Sequence, residues 1–126
     1  MERQEVAPAP RDPWALPDVS GLAVGVLGGT GEQGRGLAVR WAQAGLRVII
    51  GSRVEERAVA AAAEVGQAAG SPGAVLGMTN DECAEASDVV LVAVPWASHA
   101  ATLGPLEAAL AGKVLIDCVN PLGFDK

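Results

Sequence analysis

Residues Gly25 to Gly36 read GVLGGTGEQGRG, six glycines set directly behind an apolar run. Glycine weakens strands and helices through backbone entropy. Such density therefore implies either a loose linker or a backbone that must come very close to something. The flanks decide between them. Leu22 to Leu27 is a short apolar run suited to a buried parallel strand. Gly34 to Ala44 carries Leu37, Trp41 and Ala44 at helical spacing, with Gly45 as its stop. Glycines confined between a buried strand and a helix form a fixed turn.

The same alternation runs along the rest of the chain. Arg47 to Ile50 reads as a second strand, and Val54 to about Ala69 as an Ala-rich helix with Glu55 and Glu56 near its positive end. SPGAVLGM supplies a turn and a third strand. Thr79 then stands three residues before Glu82, the capping-box pattern that opens a short helix. Asp88 leads into VVLVAV, a fourth strand stopped by Pro95. A helix broken at Gly104-Pro105 ends at Gly112, KVLIDCV is the fifth strand, and Asn120-Pro121 closes it in a turn. Strand–helix repeats with near-continuous apolar strands predict an α/β domain with a Rossmann-type doubly wound parallel sheet of about five strands, ordered 3-2-1-4-5. Ligands of such sheets bind at the carboxyl ends of the strands, beside the switch between the first and fourth. The glycine loop, Gly51-Ser52-Arg53 and the segment from Pro95 to His99 meet there. A six-stranded version would need one more crossover and strand, so the chain is expected to be the front part of a longer protein or a natural fragment.

Residues 1–20, with Pro8, Pro10, Pro13 and Pro17, read as a disordered or loosely docked arm for which Trp14 and Leu16 are the available anchors. Residues 21–126 are the domain. A net charge of −6 argues against nucleic acid and an anionic membrane surface as partners. No apolar run approaches a membrane span and no signal peptide is visible, which makes the cytoplasm the expected location. Cys83 and Cys118 have neither metal-ligand spacing nor a secreted framework and read as buried thiols, so no metal site is expected.

Gly29-Thr30-Gly31-Glu32-Gln33-Gly34 matches G-x-G-x-x-G in the context that gives the pattern meaning, after a strand and at the opening of a helix. The first glycine permits the tight turn, the second lets main-chain N–H groups approach a pyrophosphate, and the third allows close helix–strand packing. The helix N-terminus adds a favourable partial charge. The plain alternative is a structural turn. In NAD-selective proteins an acid ends the second strand and holds the ribose hydroxyls; here that place reads Gly51-Ser52-Arg53. Ser52 can hydrogen-bond a 2′-phosphate and Arg53 can pair with it, while Arg57 lies one helical turn on. NADP(H) is therefore the expected cofactor, against the alternative that Arg53 and Arg57 are solvated charges paired with Glu55 or Glu56. Across the pocket, Trp96 can shape a slot for a planar partner or pack on the domain surface. His99, the one histidine, is a proton-transfer candidate or a solvent-facing residue of a first helical turn. Asn120 can contact a carboxamide or simply close a turn, and Cys118 flanks the same edge.

Taken together, VGVLGGTGEQGRGLA, IIGSRVEERA, VVLVAVPW, HAATL and KVLIDCVNPLGFDK resemble the NADPH-dependent reductases of the deazaflavin coenzyme F420, over about residues 22–126. The GGTG, GSR and VPW motifs are shared with related metalloreductase domains, and CVNPLGFDK points toward the deazaflavin branch. The resemblance implies that Thr30, Gly31, Glu32 and Gln33 line the pyrophosphate. It implies that Ser52, Arg53 and Arg57 take the 2′-phosphate and that Ala93, Val94 and Pro95 border the nicotinamide. It also implies a direct hydride transfer between NADPH and coenzyme F420 with no catalytic side chain. The two cofactors carry the chemistry, and alignment of the rings contributes roughly 7–11 kcal/mol to lowering the barrier. In the family a further C-terminal region helps hold the deazaflavin and makes a homodimer, and these 126 residues lack that region. A non-catalytic NADP-binding module, and an NADPH-dependent reductase of a ferric ion or an imine, are the competing expectations.

Overall fold

The computed structural model describes residues 7–9 and 11–122; Gly123 to Lys126 of the CVNPLGFDK segment lie outside them. In chain order the elements are β1 (Ala23–Leu27), α1 (Glu32–Gln43), β2 (Arg47–Ser52), α2 (Glu55–Ala68), β3 (Val75–Thr79), α3 (Asn80–Ala86) and β4 (Val89–Val92). A 3-10 turn (Trp96–Ser98), α4 (His99–Leu103), a second 3-10 turn (Gly104–Leu106), α5 (Glu107–Leu110) and β5 (Val114–Asp117) complete them. The five strands form one sheet in the order β3-β2-β1-β4-β5, with every pair parallel, as expected from the alternation of strands and helices.

Alternate strand residues feed two cores. Val26, Ile50 and Leu91 pack with Ala38 and Ala42 of α1 and with Ala58, Ala61, Ala62 and Val65 of α2 on one face. Leu27, Ile49 and Val90 pack with Cys83 of α3 and with Leu106 on the other. Small residues on α2 bring its axis close to the sheet. A Cβ on Gly77 would run into the backbone of Ala58, so β3 and α2 meet main chain to main chain. Gly25 makes room for side chains instead, since a Cβ there would overlap the Ser87 hydroxyl and the Cys83 sulfur. Burial pushes the Cys83 thiol up to about 11. The Asp88 carboxylate accepts from Ala23 N at 2.8 Å, while Ala23 O accepts from Asp88 N at 2.9 Å, which registers the start of β1 against β4. Thr79 and Glu82 form the expected reciprocal capping box at α3.

Several boundaries and roles differ from the sequence expectation. Helix α1 begins at Glu32, two residues before Gly34, because Gly31 is already extended at φ −85° and ψ 166° and serves as the N-cap. Strand β2 runs on through Ser52, and β4 stops at Val92, which releases Ala93 and Val94 toward the strand ends. Pro105 lacks a backbone donor, and the segment before Gly112 breaks into two short helices and two 3-10 turns. Strand β5 is an edge strand with all four residues exposed, so its apolar run is not a core run like that of β4. Gly36 is exposed with nothing within 4 Å of a would-be Cβ, whereas Gly34, the third glycine of the pattern, is buried against the loop backbone. Trp14 and Leu16 do not anchor the arm, being 88% and 84% exposed.

Candidate functional site

A cavity of about 360 Å³ opens at the carboxyl ends of β1, β2 and β4, beside the switch between β1 and β4. Its first wall is the glycine loop. Gly28 has φ +80°, a conformation strained for residues with a Cβ, and a Cβ there would stand 2.7 Å from Ala93 O. A Cβ on Gly34 would stand 2.7 Å from Gly28 O, so the first turn of α1 sits directly on the loop backbone. Gly31 is different. The nearest atom to its would-be Cβ is Gly28 O at 3.5 Å, an ordinary contact, and its φ is negative. Among the described residues nothing requires glycine at position 31, and its bare Cα leaves the space above it open. Gly31 N itself donates to Gly28 O at 3.1 Å, whereas the N–H groups of Thr30, Glu32 and Gln33 have no acceptor among the described residues. Three free amides at a helix N-terminus make a place for a phosphate.

The second wall is the end of β2. Ser52 accepts from Val54 N at 3.2 Å through Oγ, which leaves its hydroxyl hydrogen free to donate into the cavity. Arg53 and Arg57 line the cavity and have no carboxylate partner; the close contacts of this kind among the described residues are the ion pair of Arg35 with Glu64 and the hydrogen-bonded His99 and Asp117. Pairing with Glu55 or Glu56 is thus not what holds them. No acidic side chain lines this cavity, and Ser52, Arg53 and Arg57 border it with groups able to receive a compact anion.

Of the residues singled out in the sequence, Thr30, Ser52, Arg53, Arg57, Val94 and Pro95 line the cavity. Glu32 and Gln33 are exposed in the first turn of α1 beside it, as is Gly31 at the N-cap. Gly29 is buried below, where its would-be Cβ meets Ile50 Cγ2 at 2.7 Å. Ala93 is half-buried and donates to Leu27 O at 2.9 Å, tying the end of β4 to β1. Ser98, within the segment from Pro95 to His99 expected here, also lines the cavity, and so do Asn80 and Thr102, which were not anticipated. The last two arrive from α3 and α4, and no local motif marks them as site residues.

His99 does not reach this cavity. Its Nε2 lies 2.6 Å from Asp117 Oδ2, and its ring centroid is 5.2 Å from that of Trp96. The hydrogen bond from His99 holds the Asp117 carboxyl below the usual carboxylate range, with Val119 N adding to the effect. The pair straps α4 to the end of β5. Trp96 is half exposed, Cys118 Sγ donates to Val92 O at 3.1 Å, and Asn120 is exposed after β5. Among the described residues there is no cluster of side chains able to hold a metal ion, and no helix is long and apolar enough to cross a membrane.

The family described as NADP oxidoreductase, coenzyme F420-dependent, matches residues 23–121. The F420-dependent NADP reductase of Methanothermobacter marburgensis is 49% identical over 102 residues, covering 80% of this chain and 46% of that protein. Its counterpart in Methanothermobacter thermautotrophicus is 44% identical over 102 residues, covering 80% of this chain and 44% of that one. Among solved structures, an Arthrobacter sp. FB24 protein described as an F420-dependent NADP reductase superposes with a TM-score of 0.67 at 35% identity, covering 82% of this chain and 48% of that one. The chain spans about half the length of the curated relatives it matches. With a family match over residues 23–121 and a parallel sheet carrying the glycine loop at its switch point, the chain belongs to the coenzyme F420-dependent NADP oxidoreductases.

Proposed function

We propose that this chain is the NADP(H)-binding part of an oxidoreductase that moves a hydride between NADPH and coenzyme F420. The observation that carries the cofactor half is the corner made by Ser52, Arg53 and Arg57, with both guanidinium groups unpaired and no acid among the residues lining the cavity. A 2′-phosphate fits that corner, and the ribose of NAD leaves its charge unanswered. The free amides of Thr30, Glu32 and Gln33 suit the pyrophosphate, with the bare Cα of Gly31 giving it room. Gly29 supports the loop from below, and Ala93, Val94 and Pro95 border the nicotinamide end. Bound NADPH supplies the hydride. The protein's own part is to fix the ring and keep water away, so no side chain is assigned proton transfer. The acceptor half rests on the family and on the names of relatives of which the matched part is about half. The same reading takes the working enzyme to be a cytoplasmic homodimer, on the strength of the resemblance to the family, whose further region makes the dimer.

Titration with NADPH and NADH tests the cofactor half: a preference for NADPH of at least about tenfold is expected, and equal affinities overturn it. Mixing the protein with NADPH and oxidised F420 tests the acceptor half. Loss of the deazaflavin absorbance band is expected. Reduction of ferric chelates or imines in its place would reassign the acceptor.

A further inference from the structure

Asn80, the first residue of α3, lines two cavities at once: the one described above and a second of about 260 Å³ beyond it. Ser52, Arg53 and Thr102 are shared by the same two cavities, so Asn80 stands at their junction together with part of the arginine corner. Its carbonyl oxygen Oδ1 is buried without a hydrogen-bond partner, one of two such side-chain atoms among the described residues. That oxygen rests against the Cα of Gly51, where a Cβ would stand only 3.0 Å from it. Strand β2 thus gives up a side chain at position 51 to seat the carbonyl end of Asn80. With Oδ1 enclosed there, the amide nitrogen, with two hydrogens to donate, is the polar side-chain atom left to serve the cavities.

A buried acceptor without a partner is unfavourable and needs a compensating interaction. A neutral amide donating to an anion is a charge-assisted hydrogen bond, about twice as strong as a neutral one. We propose that Asn80 is a specificity-determining residue that donates its amide N–H to the 2′-phosphate of NADP(H), together with Ser52, Arg53 and Arg57. This rests on the reading of that corner as the 2′-phosphate site and extends it to α3 and β3. Unlike an arginine, the amide adds a directed donor without a charge, so it selects for an acceptor at one position.

Titrations of NADPH and NADH into the wild-type chain, Asn80→Asp and Asn80→Ala test it, with thermal melts to verify folding. Asn80→Ala is expected to weaken NADPH about tenfold and leave NADH within twofold. Asn80→Asp, which keeps the shape but adds a negative charge, is expected to weaken NADPH about 100-fold, again sparing NADH. Equal weakening of both nucleotides would assign Asn80 to the base or the ribose and overturn the proposal, as would unchanged NADPH affinity. If the wild type preferred NADPH and only the Asn80 result failed, the arginine corner would stand without Asn80. If the wild type bound both nucleotides equally, the corner reading and the Asn80 proposal would fall together.

Discussion

Replacing Gly31 with alanine separates a glycine kept for the fold from one kept for a ligand. The added methyl would find Gly28 O at 3.5 Å and nothing nearer, and the backbone at φ −85° and ψ 166° is open to alanine. At an N-cap, alanine is worse than glycine by up to about 1 kcal/mol, while the smaller entropy of the unfolded chain returns about 0.4–1 kcal/mol. Stability should therefore change by less than about 1 kcal/mol, a Tm shift within roughly 4 °C for a domain of this size. Binding should change far more. A methyl above the loop holds the pyrophosphate off the amides of Thr30, Glu32 and Gln33, and a hydrogen bond to a charged group contributes about 1.5–3 kcal/mol. Losing one such bond is a loss of roughly 10- to 150-fold in NADPH affinity, readable by calorimetry or nucleotide fluorescence. Gly34→Ala is the counter-experiment. Its methyl would stand 2.7 Å from Gly28 O and 3.0 Å from Gly29 Cα, and such overpacking costs about 1–3 kcal/mol before any ligand is present. Gly31→Ala that melts like Gly34→Ala, or that binds NADPH like wild type, would refute the reasoning.

Arg53→Asp should weaken NADPH at least about tenfold more than NADH, since it removes a charge-assisted contact and repels a 2′-phosphate; parallel losses in two titrations would count against the contact. Native protein treated with iodoacetamide at neutral pH should be labelled at half-buried Cys118 and spared at buried Cys83, as peptide mass mapping will reveal. The raised Cys83 value also has a stability consequence. The folded thiol keeps its proton between its ordinary value near 9 and about 11, while the unfolded chain loses it. The contribution is therefore full below pH 9 and disappears as pH rises toward 11, about 2–3 kcal/mol at most. Urea melts across that window should show the slope in wild type and lose it in Cys83→Ala. Lys113→Met should destabilise by about 1–3 kcal/mol because Nζ donates to Glu85 O at 2.7 Å and to Ser87 O at 2.6 Å; an unchanged melting curve would refute it.

What could be read in advance follows from how far each signal travels along the chain. The sheet order was legible because apolar strand runs and helical spacing are local, and because parallel crossovers admit few topologies. Arg53 and Arg57 were legible as a pair because they lie one turn apart on a segment whose start is fixed by β2. Within the glycine loop, the pattern marks positions without saying why each lacks a side chain. Gly28 requires a positive φ and Gly34 a close carbonyl, while Gly31 requires neither and Gly36 touches nothing. The reasons differ only in what stands opposite each Cα, and that partner comes from elsewhere in the loop or from β4. Asn80 shows the same limit at longer range. Its capping neighbour Thr79 could be identified from three residues of sequence, but its own position depends on Gly51, twenty-nine residues earlier, having no Cβ to occupy the place of its carbonyl. A glycine at the end of β2 reads locally as part of GSR, a prelude to the arginine. Across the sheet it is also what allows α3 to reach the same corner, so a single missing Cβ serves two walls of the site.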